Sequence, residues 1–463
     1  MDIRRIIKAT IAALLLCISM THFTAVSAGD EDIIAEQIAE FRKSTRCGSV
    51  SAVVCNSDNI SFYGGRDSLY QIGSMTKAFT GLAVQKLICE HLISGDDTVS
   101  GYIPGFTVYY NNEEAAITID DLMSQRSGFT NSEKDYPAAA PDMTLREWAY
   151  SISGKELKSA PGEKYAYANT NYDLLGAVIE EVTGMTYREY MEREIFAPLG
   201  LVHTYAGIPA EQENIIPGTR LGFGCTFPFD MPVSEAAVPA GYFYSDAEDM
   251  GRWIRIWLGL TDIPEDFSAP LEQIRSRVRQ EGDYYAGWEC FRGGITGHSG
   301  GTAAYSSRIA FSGSENIGVC VLTSLNVAAS TDSLCDSILQ SEMGNSPSAL
   351  KCDVWTVFDR VFSALCAAGA VFFVCTIRIR NRRTLIICAV SSFLLLAAIL
   401  AVFPTVFGAD MHEILFVWAP WSVSGFIMIL TADILCICIR IIQVRKHDNR
   451  EKTSQRSAAE GSC

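Results

Sequence analysis

Residues 74–95 read SMTKAFTGLAVQKLICEHLISG, and this stretch has the spacing of a helix with one apolar face. The apolar side chains recur three and four residues apart, at Phe79, Leu82, Ala83, Leu87, Ile88 and Leu92. The pattern predicts a helix over 75–93, with Ser74 as its N-cap and Gly95 as its stop. Ser74 and Lys77 lie three residues apart, which places both side chains on one helix face.

The pair formed by Ser74 and Lys77 suits nucleophilic catalysis. A free serine hydroxyl is a weak nucleophile, whereas a lysine amine deprived of water at the positive end of a helix has a lowered pKa and can accept the hydroxyl proton. Backbone N–H groups at the start of the helix can stabilise an oxyanion. A motif with two fixed positions is weak by itself, and its simpler interpretation is a capping serine with a surface lysine.

Two later motifs carry polar side chains that fit the same chemistry. Residues 167–169 (YAN) follow Pro161-Gly162 and precede a helical pattern, so we expect them on a loop. Residues 298–301 (HSGG) are expected to open a strand. Taken singly, Tyr167 has the simpler interpretation of a buried aromatic with a hydrogen-bonded hydroxyl, and His298 that of a structural turn residue.

The distribution of strand and helix patterns predicts an α+β fold. Residues 50–54 and 60–63 are β-rich runs on either side of a polar turn and predict a hairpin. Helical patterns follow at 118–123, 144–152 and 172–183, the last closed by Gly184. Strand patterns return at 302–311 and 317–322, before a final helix near 331–343. Strands at both ends with helices between them indicate one sheet built from both ends of the domain.

In combination, the three motifs resemble those of the penicillin-recognising serine hydrolases, the group related to class C β-lactamases and D-Ala-D-Ala carboxypeptidases. Ser-x-x-Lys is followed about ninety residues later by Tyr-x-Asn, and then by His-x-Gly. The flanking stretches 117–128 (ITIDDLMSQRSG), 161–184 (PGEKYAYANTNYDLLGAVIEEVTG) and 195–204 (IFAPLGLVHT) also look like this family. The resemblance covers roughly residues 33–343 and implies a serine β-lactamase/transpeptidase-like fold, with an antiparallel sheet and a helical subregion.

The resemblance also implies roles for individual residues. Ser74 would be the acylated nucleophile, Lys77 its proton partner, and Tyr167 the base that passes protons to the leaving group and activates the deacylating water. Asn169 would orient the acyl amide of the substrate. The remaining substrate-binding residues would be His298, Ser299 and Gly300. The oxyanion hole would consist of the backbone N–H groups of Ser74 and Gly301.

His298 is the informative departure from the β-lactamase pattern. By the resemblance it takes the place of the lysine in Lys-Thr-Gly, which helps to hold the β-lactam carboxylate. The histidine weakens the β-lactamase interpretation. It favours the peptidase and esterase branches of the family, whose usual motif at this place resembles His-x-Gly.

Residues 297–301 (GHSGG) also fit the Gly-x-Ser-x-Gly elbow of α/β-hydrolases, which would make Ser299 the nucleophile. That elbow requires a helix after the serine, whereas a strand pattern follows here. The histidine of such a triad comes after its serine, and only His412 and His447 do so. Both lie in an apolar region, so we reject this alternative.

Charge and motif content exclude other classes of function. The whole chain has a net charge of −16. The first 28 residues carry a net charge of +2, and residues 351–463 carry +4. The middle of the chain, residues 29–350, therefore carries −22. Such an acidic domain is unsuited to nucleic acid. The sequence contains no His-Glu-x-x-His, Walker or dinucleotide-binding motif, so neither a metal nor a nucleotide cofactor is implied.

The apolar segments predict an exported, membrane-anchored protein. Basic residues before the apolar run 11–18, and small residues at 26–28, indicate a signal peptide over 1–28, with an uncleaved anchor as the alternative. Apolar stretches at 361–377, 384–407 and 414–439 predict three spans. The basic connector 378–383 and the basic tail favour the cytoplasm, which leaves the acidic domain outside. The predicted domains are 1–28, 29–345 and 346–463.

Eight cysteines fall in the exported part, without the spacing of a zinc or redox site. We expect most of them to be buried small apolar residues, and a disulfide or two is compatible with an oxidising compartment.

The architecture narrows the expected function. An exported domain of this family followed by three spans resembles peptidases that remove an N-acyl-D-amino-acid cap from secreted natural-product precursors. We therefore expect a serine peptidase acting beside a D-amino acid, either in such a cap or in a cell-wall D-alanyl peptide. The alternatives are a D-alanyl or small-ester esterase, a β-lactamase, and a non-catalytic penicillin-binding receptor. The spans serve either as a tether or as a route for substrate.

Overall fold

The computed structural model describes residues 30–131, 140, 142–210 and 213–460. The predicted signal peptide lies outside these described residues. The chain divides into two compact units, a larger unit that is drawn mainly from residues 30–353 and a smaller unit drawn mainly from residues 354–460.

The described residues contain fourteen strands, which lie wholly or partly in the larger unit. They are β1 (Val50–Cys55), β2 (Ile60–Tyr63), β3 (Tyr70–Gln71), β4 (Val108–Tyr110), β5 (Glu113–Ala115), β6 (Tyr205–Ala206), β7 (Thr219–Gly222), β8 (Cys225–Pro228), β9 (Phe243–Ser245), β10 (Tyr284–Tyr285), β11 (Trp288–Phe291), β12 (Ile295–Gly301), β13 (Ser306–Ser312) and β14 (Ile317–Thr323). Seven of them form the main sheet in the order β10-β11-β12-β13-β14-β1-β2. The neighbouring strands pair antiparallel, and strands from both ends of the unit meet where β14 pairs with β1.

The helices of the larger unit lie before, between and after these strands. They are α1 (Asp30–Thr45), α2 (Thr76–Cys89), α3 (Val99–Tyr102), α4 (Ile119–Met123), α5 (Leu145–Ile152), α6 (Asn169–Thr183), α7 (Tyr187–Tyr190), α8 (Ala197–Leu199), α9 (Val238–Gly241), α10 (Ala247–Leu258), α11 (Ser268–Arg277) and α12 (Ala328–Glu342). Short 3₁₀ turns occur at Gly73–Met75, Glu235–Ala237 and Glu265–Phe267, and a short π-helical segment occurs at Met191–Phe196.

The main sheet is covered on both faces. Every residue of β1 and β13 is buried, and successive side chains of a strand point to opposite faces. Helix α10 packs on β1 and β14, while α12 packs on β13 and β14. The core continues from the sheet into the helices, where the ring of Phe79 stacks on Trp253 at a centroid distance of 4.1 Å. This sheet and its helices confirm the predicted α+β fold.

Local sequence signals explain most helix boundaries. Thr118 and Thr144 cap α4 and α5, each in a reciprocal pair with an acidic residue three positions later. Gly184 ends α6 in the left-handed conformation, as predicted. The prediction was wrong for Ser74, which makes no capping hydrogen bond: it lies in the 3₁₀ turn before α2, and Met75 is the residue that precedes the helix.

The cysteines of the described residues are all free thiols. Five of those in the larger unit are buried: Cys47, Cys55, Cys290, Cys320 and Cys335. Burial raises the pKa of the Cys55 thiol to about 12, so it behaves as a small apolar residue, as we expected.

The smaller unit contains three helices that are long and apolar enough to cross a membrane. Helices α13 (Val354–Arg378) and α14 (Arg382–Phe407) have mean hydropathies of 2.0 and 2.9, and the apolar part of a third helix, Trp421–His447, has 2.3. A short helix α15 (Met411–Glu413) and a π-turn (Ile414–Trp418) precede the long helix α16 (Trp421–Glu460). The Ser422 hydroxyl donates to the Asp359 carboxylate at 2.7 Å and joins α16 to α13.

The predicted start of the third span was wrong. We expected it at Ile414, but Ala419 adopts an extended conformation and the long helix begins at Trp421. Pro420 is the cause, because a proline disfavours helical geometry in the residue before it.

Candidate active site

Ser74 lies in a turn that is pressed against the end of strand β12. Gly73 has a φ of +53°, and a Cβ atom placed on it would lie only 2.4 Å from the backbone nitrogen of Gly301. The N–H of Ile72 donates to the carbonyl of Phe243 at 2.9 Å, which ties the same turn to β9. The backbone nitrogens of Ser74 and Gly301 therefore lie close together, as two donors of an oxyanion hole must.

Lys77 is fully buried beneath Ser74. Its Nζ atom lies 3.1 Å from the Ser74 Oγ, 2.8 Å from the Asn169 Oδ1 and 2.6 Å from the carbonyl oxygen of Ala240. Burial lowers the pKa of this ammonium group to about 7, while the nearby Asp173 carboxylate opposes the shift. A substantial fraction of Lys77 is therefore neutral at physiological pH.

The three neighbours of Nζ decide where the lone pair of a neutral Lys77 points. The carbonyl of Ala240 and the Oδ1 of Asn169 can only accept hydrogen bonds. A neutral amine has two N–H donors, and these two acceptors occupy both. Its lone pair is left for the third neighbour, the Ser74 hydroxyl. The surroundings of Lys77 thus orient it as a proton acceptor for Ser74.

Asp173 supports this arrangement from the other side of Ala240. Its Oδ1 accepts a hydrogen bond from the Ala240 N–H at 3.1 Å, so both backbone groups of Ala240 are held, one by Asp173 and one by Lys77. The Asp173 carboxyl is almost fully buried, and burial raises its pKa well above the usual range. Asp173 therefore fixes the α9 backbone that positions Lys77.

Tyr167 and Asn169 stand next to the Ser74 and Lys77 pair. The Nζ of Lys77 lies 4.9 Å from the centre of the Tyr167 ring. Burial raises the pKa of the Tyr167 phenol above its usual value, and a hydrogen bond with the Ser74 hydroxyl opposes this. Asn169 is the first residue of helix α6 rather than part of a loop, which corrects the expectation for this motif. Its backbone N–H donates to the Asn131 Oδ1 at 2.8 Å.

His298 lies in the middle of strand β12 and close to Tyr167, with 6.0 Å between the ring centres. Its Nδ1 lies 2.6 Å from the carbonyl oxygen of Ser299, which can only accept, so the proton of the neutral ring is on Nδ1. The Nε2 faces the Tyr284 hydroxyl at 3.5 Å. Burial, assisted by the charge of Lys77, lowers the pKa of His298 to about 3. His298 is an uncharged imidazole.

The strand around His298 differs from the expectation. Residues 298–301 were expected to open a strand, but they end one, and the next strand starts only at Ser306. Glycines conceal this strand in the sequence, since they have low strand propensity. They are needed because the neighbouring backbone is close: a Cβ on Gly297 would lie 2.4 Å from the Ile309 carbonyl oxygen, and one on Gly300 would lie 2.1 Å from that of Ile72.

The Ser299 side chain is hydrogen-bonded to an arginine of the neighbouring strand. Its hydroxyl accepts a hydrogen bond from Nη1 of Arg308 at 2.9 Å, across the β12–β13 pair. Arg308 also binds Asp336 of α12 at 2.9 Å. Ser299 sits within an antiparallel strand and not on a turn between a strand and a helix, so the alternative nucleophile elbow has no structural basis. The site retains His298 and the glycines of this motif.

Three contributors to the site were not recognised in the sequence: the carbonyl of Ala240, Asp173 and Tyr284. Asp173 follows Asn169 by four residues, and a predicted helix extended back to Asn169 would have put both side chains on one helix face beside Lys77. Ala240 acts through its backbone, and Tyr284 comes from a two-residue strand, so no pattern signals either of them.

The close approach at Gly73 gives a testable prediction. We expect Gly73→Ala to push β12 away from Ser74 and to lower kcat by about 10²–10³-fold, the usual cost of losing an oxyanion donor. Gly313→Ala is the matched control, because its Cβ would meet no atom within 4 Å. Hydrolysis rates for the two variants check this expectation, and equal rates would contradict the assigned oxyanion hole.

Comparisons with known proteins show the family of this chain. Residues 34–338 match the family described as Beta-lactamase. Protein flp of Staphylococcus aureus is 30% identical over 271 residues, which are 56% of this chain and 53% of that protein. The chain thus spans about half the length of this curated relative.

Solved structures show the same fold. A Beta-Lactamase/D-Alanine Carboxypeptidase from Pseudomonas syringae superposes with a TM-score of 0.60 at 17% identity, and covers 68% of this chain and 99% of its own. The octameric penicillin-binding protein homologue from Pyrococcus abyssi gives a TM-score of 0.59 at 22% identity, and covers 72% of this chain and 81% of its own. The homologues of the matched family are serine hydrolases. Since the match extends over more than half of the sequence, this chain belongs to the Beta-lactamase family.

Proposed function

We propose that this protein is a membrane-anchored serine peptidase that forms an acyl-enzyme on Ser74. The observation that carries the proposal is the buried Lys77, which lies 3.1 Å from the Ser74 Oγ with a pKa of about 7. Burial disfavours the charged form of a lysine and so costs folding free energy. The neutral amine that results is suited to removing a proton from a hydroxyl.

Acylation follows from the arrangement of these groups. Neutral Lys77 takes the Ser74 proton as Oγ forms a bond with the substrate carbonyl carbon. The N–H groups of Ser74 and Gly301 stabilise the oxygen that becomes negative. When the C–N bond breaks, the leaving nitrogen takes a proton from the Tyr167 hydroxyl, and Tyr167 regains one from the Lys77 ammonium.

Deacylation uses the same groups in the reverse direction. A water molecule attacks the ester carbon while its proton passes through Tyr167, and Ser74 leaves with a proton returned by Lys77. The raised pKa of Tyr167 favours a relay by a neutral phenol over a permanent phenolate. This refines the role of Tyr167, which stays the group that hands protons to and from the substrate.

The neutral His298 supports a particular class of substrate. An uncharged imidazole beside the site cannot form an ion pair with a carboxylate on the leaving group. This favours amides whose leaving group carries no carboxylate, as when an N-acyl-D-amino-acid cap is the acyl group that is removed from a longer chain. It disfavours β-lactams and peptides that release a terminal D-alanine. The preference for a D-residue on the acyl side is supported by a relative from Escherichia coli, 35% identical over 146 residues, that is named Putative D-alanyl-D-alanine carboxypeptidase.

The proposed location is a cell membrane, with the larger unit outside the cytoplasm. Three helices of the smaller unit have the length and hydropathy of spans. The connector between α13 and α14 and the helix ends beside it carry Arg378, Arg380, Arg382 and Arg383. Connectors rich in arginine usually stay in the cytoplasm, and on this basis we propose that the start of α13 and the domain before it lie on the opposite side.

Paired substrates test the proposed specificity. Full-length protein in detergent is offered N-acyl-D-alanyl and N-acyl-L-alanyl p-nitroanilides, and separately an N-acyl-D-Ala-D-Ala peptide. We expect the D-anilide to be cleaved at least ~10²-fold faster than the L-anilide, within the range that side-chain discrimination provides. Faster release of terminal D-alanine would instead assign a carboxypeptidase, and turnover of esters alone would assign an esterase.

The proton relay gives a separate prediction for Tyr167. Tyr167→Phe removes only the hydroxyl, and we expect kcat to fall by about 10²–10⁴-fold, as is usual for a lost positioned acid or base. The ring remains to cover Lys77, so the melting temperature should change little. Tyr165→Phe, on the neighbouring exposed side chain, is the control. Full activity in Tyr167→Phe would remove Tyr167 from the mechanism.

A further inference from the structure

A second cluster of potential ligands lies away from Ser74, where strands β6 and β9 run side by side. His203 is two residues before β6, and Asp246 directly follows β9. The two strands pair with Tyr205 opposite Tyr244, which brings these flanking residues together. Asp249 lies in the first turn of α10 and joins them.

The three side chains of this cluster are close enough to share one ion. The Nδ1 of His203 and the Oδ2 of Asp246 lie 2.8 Å apart, and the ligand atoms of the three residues lie within 4.8 Å of one another. Two ligands of a tetrahedral zinc ion, with bonds of about 2.1 Å, are separated by about 3.4 Å. The ligand atoms therefore lie around a single centre, and the 2.8 Å pair would move apart slightly when an ion binds.

The hydrogen bonds of the cluster leave two atoms without a partner. The Asp246 side chain has no exposed surface, and its Oδ1 accepts the Asp249 N–H as the cap of α10. Among the described residues, neither the Oδ2 of Asp246 nor the Nδ1 of His203 makes a hydrogen bond of good geometry, although the two atoms are close enough to form an ion pair with a charged imidazole. A buried carboxylate oxygen is costly without a positive charge beside it, and a metal cation bound by both atoms would supply that charge.

Asp249 is held in place for the same centre. Its Oδ2 accepts hydrogen bonds from the His203 N–H at 2.7 Å and from the Thr204 hydroxyl at 2.8 Å. These bonds fix the orientation of the carboxylate, as outer partners of metal ligands do. The His203 side chain is 39% exposed, so a fourth ligand position is open to water.

We propose that His203, Asp246 and Asp249 bind a structural divalent transition metal, and we expect Zn²⁺. One imidazole and two carboxylates suit zinc, whereas calcium and magnesium take oxygen ligands. The site would clamp β9 to the start of β6. The Phe243 carbonyl of β9 accepts the Ile72 N–H just before Ser74, so the clamp would also steady the turn that carries Ser74. His203 lies more than forty residues before Asp246 and Asp249, which explains why no ligand spacing is visible in the sequence.

Titration of the full-length protein tests this site. Protein in detergent, stripped with EDTA and kept reduced, is titrated with ZnCl₂ by calorimetry, and its melting temperature is recorded with and without the metal. We expect one zinc per chain and a higher melting temperature. Asp246→Ser removes a ligand but keeps a side chain that caps α10. We expect this variant and His203→Gln to fold in EDTA and to bind zinc at least ~100-fold more weakly, since even outer partners of ligands contribute about 10–100-fold.

His91→Gln is the matched control, because His91 is an exposed histidine of the same unit. It should leave the affinity unchanged. Co²⁺ in place of Zn²⁺ should give a visible spectrum without the near-ultraviolet band of thiolate ligands, which excludes binding by cysteines. Absence of a stoichiometric zinc site, or equal affinity in wild type and His203→Gln, would overturn the proposal. Either result would leave His203, Asp246 and Asp249 with the role of a hydrogen-bonded cap of α10.

Discussion

Ser74→Ala is expected to abolish covalent labelling of the protein by a fluorophosphonate and to lower kcat/KM by about 10⁴–10⁶-fold, the usual cost of removing a nucleophilic serine. The reason is that Lys77 directs its lone pair to this hydroxyl, and that the oxyanion donors are placed around it. The alanine side chain occupies no new space, so the fold should be retained. Intact-mass spectrometry of full-length protein after exposure to the reagent measures the adduct directly.

Ser299→Ala is the control that separates the two candidate nucleophiles. The Ser299 hydroxyl is held by Arg308, so its loss should leave the adduct in place. An adduct that survives Ser74→Ala and disappears in Ser299→Ala would reverse the assignment. The absence of an adduct on a correctly folded wild-type protein would favour a binding module without catalysis. A long-lived adduct with penicillin would move the proposed substrate towards cell-wall D-alanyl peptides.

The sequence was sufficient for the fold class because its strongest signals are local. The β-rich runs of β1 and β2, helical spacing in α2 and α6, and glycines after helices each depend on neighbours within a few positions. The partner of β1 was also predictable in outline, since strand patterns occur only near the two ends of the domain. The failures occurred where tertiary contacts override propensity, as in the glycine-rich β12, which forms because β13 and the Ser74 turn lie against it.

The site was predictable to the extent that its chemistry resides in side chains within motifs. Ser74, Lys77 and Tyr167 stand in such motifs, and the structure brings them together. The surroundings that tune them were not predictable. The carbonyl of Ala240 has no side-chain signature, and the neutrality of His298 depends on burial by residues that are distant in sequence. Sequence patterns therefore identify the candidate reacting groups, whereas the protonation state of each group depends on its surroundings in the folded protein.

Lys77 carries the second large prediction, because its protonation links catalysis to pH. With a pKa of about 7, Lys77 gains a proton as the pH falls, and the acceptor for Ser74 is lost. The acylation rate of the wild type should therefore rise about tenfold per pH unit below 7 and level off above it. Lys77→Met should lower the rate at neutral pH by about 10²–10⁴-fold and should lack this rise. Lys43→Met, at an exposed position, should behave like the wild type.

The same burial predicts a pH dependence of stability, and its sign is fixed by the two protonation states. The unfolded lysine has a pKa near 10.5 and the folded one about 7, so between these values the unfolded chain binds more protons. The free energy of unfolding of the wild type should therefore increase with pH in this window, relative to Lys77→Met. Melting temperatures of both proteins from about pH 6 to about pH 10 measure the difference. A constant difference would show that Lys77 is charged in the folded state, and it could then not take the proton of Ser74.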